Sequence, residues 1–144
     1  MTLVELLVVL GVIGVIVTMS VPALTSYTKQ IRLKTTTREL VGLLSLARSL
    51  AISSHEDHAV VIDPERREVM VTNLTSGESL EHVLRLPSAM TLDVEIGGEA
   101  SSETQLVFHP TGSLAGRTVS LILAERDKQH TITVTAATGA VSVK

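Results

Sequence analysis

The sequence predicts an α+β fold, with one long N-terminal helix whose second half is packed on antiparallel β-sheet. Three observations carry this. Between Glu5 and Lys29 there is no charged residue. From Leu40 to Ala51 apolar side chains recur at helical spacing. Beyond His55 the apolar residues alternate with polar ones and are separated by turn signals, the pattern of strands with one buried face.

The first segment, Leu3 to Thr28, is rich in Val and Ile, which are mediocre helix formers in water. In hydrocarbon that preference is overridden, because only a helix satisfies every backbone N–H and C=O of a single span. At about 1.5 Å per residue, Leu6–Thr28 would be roughly 35 Å long, enough for a bilayer core of about 30 Å. Nothing basic precedes it, and it is longer than a signal-peptide core, so it reads as an anchor that stays. Pro22 removes the N–H that would bond the Thr18 carbonyl, which predicts a kink between these residues. Gly11 and Gly14 allow close approach of a neighbouring helix.

Past Pro22 the helix resumes as an amphipathic one. Leu40, Leu43, Leu44, Ala47, Leu50 and Ala51 form one stripe, with Arg38, Glu39, Ser45, Arg48 and Ser49 mostly on the other side. One helix from about Thr2 to Ser53 is expected. The change from apolar all round to amphipathic sets a boundary between residues 1–28 and a globular part, 29–144, of about 115 residues, sufficient for one modest core. Strands are expected at Ala59–Ile62, Glu68–Thr72, Glu81–Leu86, Thr91–Ile96, Thr104–Phe108, Thr118–Leu123, Thr131–Thr135 and Val141–Val143. Asp63-Pro64-Glu65-Arg66 and Thr75-Ser76-Gly77-Glu78 are turns, and Gly97–Glu103 reads as a polar loop. One sheet covering the helix stripe is the economical arrangement.

Composition excludes several chemistries. The chain has no cysteine, so there is no disulfide, thiolate nucleophile or cysteine–zinc site. Tyr27 and Phe108 are the only aromatics, too few for stacking single-stranded nucleic acid. The formal net charge of -3 lacks the basic face of a nucleic-acid binder. Lys29, Arg32, Lys34 and Arg38 suit anionic headgroups just beyond an anchor. His55-Glu56-Asp57-His58 does not match the H-E-x-x-H zinc spacing, and Glu95, Glu99 and Glu103 lack the dense oxygen alternation of a calcium loop. No G-x-S-x-G elbow occurs, and His109, His130 and Asp127 have no triad spacing. No enzyme activity, metal or cofactor is expected.

Glu5 is the most informative residue. A carboxylate inside an inserted helix costs on the order of 3 kcal/mol near the centre and less near an end, so it is read as functional with a partner to be found. The positive helix end is close by, and a free α-amino group on Met1 would lie one turn away.

Met1-Thr2-Leu3-Val4-Glu5-Leu6-Leu7-Val8 resembles the mature start of type IV pilins and type II secretion pseudopilins, with Glu5 and Pro22 at the positions that family marks. The resemblance implies a pilin-like fold. It also implies a basic leader ending in Gly, removed by the prepilin peptidase on the cytoplasmic face, and N-methylation of the new first residue, Met1. The basic run after the apolar segment would by itself point to the cytoplasm. A removed basic leader would instead hold the N-terminus inside and place 29–144 in the periplasm, as a single-pass inner-membrane protein. In the family, Glu5 of one subunit meets the N-terminal amine of its neighbour in the filament, which implies charge pairing between Glu5 and Met1 of successive subunits. Such a pair specifies register more than it adds stability. Met1 stands where the family most often has Phe.

A narrower resemblance rests on Leu40, Leu44, Ala47-Arg48 and Ala51-Ile52, then Phe108-His109-Pro110-Thr111-Gly112, Gly116 and Thr138-Gly139-Ala140-Val141. These are similar to the minor pseudopilin H group, which includes a competence-linked pilin-like branch; that group often has Asp where Thr111 stands. The implied role is a minor pseudopilin at or near the tip of a periplasmic pseudopilus. Its partners would be other pseudopilins through the helix, inner-membrane lipid, and the prepilin peptidase during maturation, with no nucleic acid. A minor pilin-like protein of a type IV pilus, such as a DNA-binding competence receptor, is the alternative; a DNA receptor would need a basic C-terminal surface, and Arg117, Arg126, Lys128 and Lys144 against Glu125 and Asp127 supply only a weak one.

Overall fold

The computed structural model of the chain describes the backbone of residues 2–144, and their side chains except at 19–26, 29 and 81. One helix, α1 (Leu3–Ser54), precedes β1 (His58–Asp63), β2 (Glu68–Asn73), β3 (Ser79–Arg85), β4 (Thr91–Ile96), β5 (Glu99–Ser101), β6 (Gln105–Phe108), β7 (Val119–Glu125), β8 (Lys128–Val134) and β9 (Val141–Val143). The chain forms two compact units, Met1–Arg32 and Leu33–Lys144.

In the first unit the described apolar side chains from Leu3 to Val17 all stand exposed. Among the described residues no helix is long and apolar enough to cross a membrane. The described apolar run, Leu3 to Thr18, amounts to roughly 24 Å of helix, short of a core of about 30 Å. The rest of the expected span includes the side chains of 19–26, among them Pro22 and its expected kink, which lie outside the described residues.

In the second unit the strands form two sheets rather than the single one expected. One has the order β3-β2-β1-β6 and the other β5-β4-β7-β8-β9. Every pairing is antiparallel. The division falls at residues 86–90. Pro87 has no N–H for a ladder, and the turn closed by Met90 N–H to the Pro87 carbonyl (3.0 Å) carries the chain from β3 into the second sheet. Arg67 braces that crossing by donating from Nη2 to the carbonyls of Pro87, at 2.7 Å, and of Met90. The expected loop 97–103 contains the short strand β5, turned back on β4 by Gly97 and Gly98, both with positive φ. The Asp63 turn forms as expected, its Oδ1 accepting from the N–H groups of Glu65 and Arg66.

One apolar core joins the helix to both sheets. The stripe of Leu40, Leu43, Leu44, Ala47 and Ala51 is buried, with Leu50 packed against it. It meets Val60, Val69, Val71 and Phe108 from the first sheet and Leu121, Ile132 and Val134 from the second. The stripe starts earlier than the apolar pattern shows. Leu33 packs with Met90 and Leu123 in a smaller cluster, and Thr36 and Thr37 are buried between the two clusters' helix contacts. Thr37 satisfies its hydroxyl on the Leu33 carbonyl (2.7 Å) and on His130 Nδ1 (3.0 Å), so this polar residue sits in the stripe with its hydrogen bonds met. Arg48 departs from its expected outward position: it is half-buried.

Two glycines predict opposite effects of the same substitution. Gly139 has φ 62°, and a Cβ there would run into the Gly112 carbonyl oxygen, so Gly139→Ala is expected to lower unfolding stability by more than about 2 kcal/mol. Gly42 lies in α1 with nothing near a built Cβ, so Gly42→Ala is expected to raise stability by up to about 1 kcal/mol. Denaturant unfolding of the two variants beside the parent chain checks both signs.

Candidate functional site

At the start of α1, Glu5 is held by its own chain. Glu5 Oε2 accepts from the Thr2 backbone N–H at 3.3 Å, and Thr2 Oγ1 accepts from the Glu5 N–H at 3.3 Å. The two residues form a reciprocal capping box that satisfies donors at the helix start. The spacing Thr2-x-x-Glu5 before an apolar run is the sequence signature of such a box, and it points to this pairing without any structure. Met1, the other half of the expected charge pair, lies outside the described residues, so the pairing between subunits is untested.

Four residues of the narrower resemblance, Arg48, Ile52, Gly112 and Gly139, scattered in sequence, come together at the end of α1. Arg48 Nε donates to the Gly112 carbonyl at 3.1 Å. Gly112 (φ 78°) belongs to a turn in which its N–H bonds the His109 carbonyl at 2.8 Å and the His109 N–H bonds the Ser113 carbonyl at 2.9 Å. A Cβ on Gly112 would meet the Ile52 side chain, and one on Gly139 would meet both Gly112 and Arg48. The turns at 109–112 and 136–140 are thus pressed together under the Arg48 side chain. Ala47 and Ala51, both fully buried, keep the helix thin at this level. Beside the contact runs a groove of about 350 Å³, bordered by Val41, Ser45, Ile52 and Val141.

The other candidate groups are tied up in local structure. Asp57 Oδ1 lies 2.9 Å from His109 Nδ1, joining the helix-to-strand junction to the 109–112 turn. Glu56 Oε2 accepts from Asn73 Nδ2 at 2.6 Å, and the buried His58 places Nδ1 3.1 Å from the Glu56 carbonyl oxygen. Among the described residues no group of three His, Asp or Glu could hold a metal ion. Arg32, Lys34 and Arg38 stand exposed.

A family model described as type II transport protein GspH matches residues 36–138. The chain belongs to the GspH family. The match spans the second half of α1, strands β1 to β8 and the 109–112 turn, and ends one residue before Gly139. No curated protein matches the chain. Among solved structures, the minor pseudopilin EpsH of the Vibrio cholerae type 2 secretion system is 20% identical, with a TM-score of 0.62 over 77% of this chain and 94% of that one. A second EpsH structure gives 19% identity and a TM-score of 0.64 over 78% and 92%. The type IV minor pilin FimU of Pseudomonas aeruginosa PAO1 is 18% identical, with a TM-score of 0.64 over 82% of this chain and 92% of that one. At these identities the structures establish the pilin-like fold.

Removing the Arg48 contact is expected to loosen both turns. Arg48→Ala should lower unfolding stability by about 1–2 kcal/mol, less than a fully buried charged hydrogen bond because Arg48 is half-exposed. Arg38→Ala, on the exposed side of α1, should stay within about 0.5 kcal/mol of the parent. The check is the denaturation midpoint at unchanged slope.

Proposed function

We propose that this GspH-family chain is a minor pseudopilin of a type II protein secretion system, built into the periplasmic pseudopilus, at or near its tip, through its N-terminal helix. The observation that carries the reading is the coincidence of the family match over 36–138 with Glu5 at the head of an uncharged segment and Pro22 within it. The mechanism is assembly, not catalysis. Residues 1–28 anchor the chain in the inner membrane and later pack into the filament core. Residues 29–144 stand in the periplasm and offer their surface to other pseudopilins. Cleavage by the prepilin peptidase frees the Met1 amine, which is then methylated.

Within this mechanism Glu5 has two tasks. In the single subunit its carboxylate closes the capping box with Thr2. In the filament it faces the Met1 amine of the adjoining subunit, and two charges that are costly in lipid neutralise each other only in the correct axial register. The similarity to FimU favours a second reading, a type IV minor pilin with the same assembly chemistry. Deletion of the gene separates the two: loss of protein export with pili intact supports the first, and loss of pili with export intact supports the second.

Substitution at Glu5 tests the assembly step. Glu5→Leu is expected to insert and fold normally but to be absent from sheared filaments. Glu5→Gln retains the capping hydrogen bonds and loses the charge, so it should be as defective as Leu. Normal incorporation of the Gln variant would show that the cap, not the charge pair, is what assembly needs.

A further inference from the structure

Four strands lie at sheet edges, β3 and β6 in the first sheet and β5 and β9 in the second. An open edge invites another strand, and proteins blunt it with charges, bulges or cover. The β3 edge has a register shift opposite Met70 and Thr72 and a charge at Arg85. The β6 edge is covered, because the Ala115 N–H donates to the Val107 carbonyl at 2.8 Å. Strand β5 begins on a charge, Glu99. Strand β9, Val141-Ser142-Val143, has none of these devices.

The ladder shows which groups β9 leaves open. Thr131 and Lys144 exchange both backbone hydrogen bonds, at 3.0 and 2.9 Å, and the Thr135 N–H donates to the Ala140 carbonyl at 3.0 Å. In an antiparallel pair such positions alternate with ones that turn away. Residues 140, 142 and 144 therefore face β8, and the N–H and C=O groups of Val141 and Val143 point out from the sheet. Among the described residues no strand pairs with that side of β9.

Beside this edge runs the groove of about 350 Å³, where Ser45, Ser49 and Ile52 are exposed and Val41 and Val141 half-buried. Its charged lining residue is a cation, Arg48. Lys34 and Arg38, both exposed, continue the ridge of Val41 and Ser45 toward the helix start, at three- and four-residue spacing. Among the described residues none of the three cations is in an ion pair. We infer that β9 and this groove receive an extended strand from a different pilin-like subunit, with apolar side chains toward Val41 and Ile52 and a carboxylate beside Lys34 and Arg38. Backbone pairing with Val141 and Val143 supplies affinity, and the alternate side chains and the charge supply selection. That the strand belongs to a filament subunit rests on the proposed assembly role; the acceptance of a strand does not.

The first arm of the test titrates the full-length chain, in detergent micelles, with the peptide acetyl-Glu-Thr-Val-Thr-Val-Trp-amide. The chain has no tryptophan, so Trp emission follows the peptide alone. Val143→Pro deletes one outward N–H and no bond to β8, a position where an edge strand tolerates proline. It is expected to weaken binding roughly tenfold, whereas Val143→Thr keeps the donor and should bind like the parent. Lys34→Glu with Arg38→Glu should weaken binding to a similar degree and favour the same peptide with Lys in place of Glu. Should Val143→Pro fail to fold, amide exchange in the parent chain decides: the peptide should slow it at Val141 and Val143. Absence of saturable binding, full binding by folded Val143→Pro, indifference to charge, or unslowed exchange overturns the proposal.

The second arm identifies the source of the strand. In a strain lacking the gene, the parent chain should restore protein export and Val143→Pro should not. Export restored equally by both, with peptide binding lost, overturns the assignment to a filament subunit. A dimer of the parent chain that Val143→Pro abolishes would make the occupant a second copy and overturn it too. Failure of the parent chain itself to restore export would refute the secretion role, while the peptide titration would still decide whether β9 accepts a strand.

Discussion

The second unit depends on how closely two turns approach one helix. At the level of Ala47 and Ala51 the helix carries only methyl groups inward, and the chain at Gly112 and Gly139 folds down onto it. Arg48 spans the gap with one hydrogen bond to the Gly112 carbonyl. Each participant is fixed by a steric or conformational demand that few residue types meet: no side chain at Gly139, positive φ at both glycines, and a long donor at Arg48. The turn at 109–112 follows β6 of the first sheet, and the turn at 136–140 links β8 to β9 of the second. Their contact at the helix end therefore joins two sheets that share no strand pairing.

That arrangement also accounts for a single core built almost without aromatics. Phe108 is the one large ring in it, fully buried where β6 leads into the 109–112 turn. Elsewhere Leu, Val and Ile from the helix and both sheets fill the space. Residues of this size need the layers to lie close, and small helix residues at 47 and 51 permit it. Thr37, a polar member of the stripe, is tolerated because its hydroxyl has partners on the helix and on His130.

Much of this was legible from the residues, for reasons that can be stated. The stripe from Leu40 to Ala51 has helical period, and Val119-Leu121-Leu123 has strand period, so element type followed from geometry alone. Asp63-Pro64 specified its turn through a side-chain cap. The division into two sheets was not legible, because it rests on a crossing at Pro87 held by Arg67 from a distant hairpin, and no local pattern encodes such a partner. Arg48 was placed outside for the same reason: its polarity places it on the solvent side until a carbonyl from residue 112 is brought to it. Strand β7 shows the converse, since its alternation runs on to bury Glu125, a charge that composition would put in water.

The capping box at Glu5 bears on the assembly role proposed for that residue. A carboxylate at the third position of a helix following a Thr cap is stabilised locally by backbone donors and by the helix dipole. These interactions lower the cost of holding a charge in a lipid environment, and they aim the carboxylate at the helix end, where a neighbour's amine would arrive. A carboxylate further along the helix would gain neither benefit and would meet the full penalty of the bilayer interior. The capping box therefore does not compete with the assembly reading; it supplies a physical reason why the acid sits in the first turn of the helix.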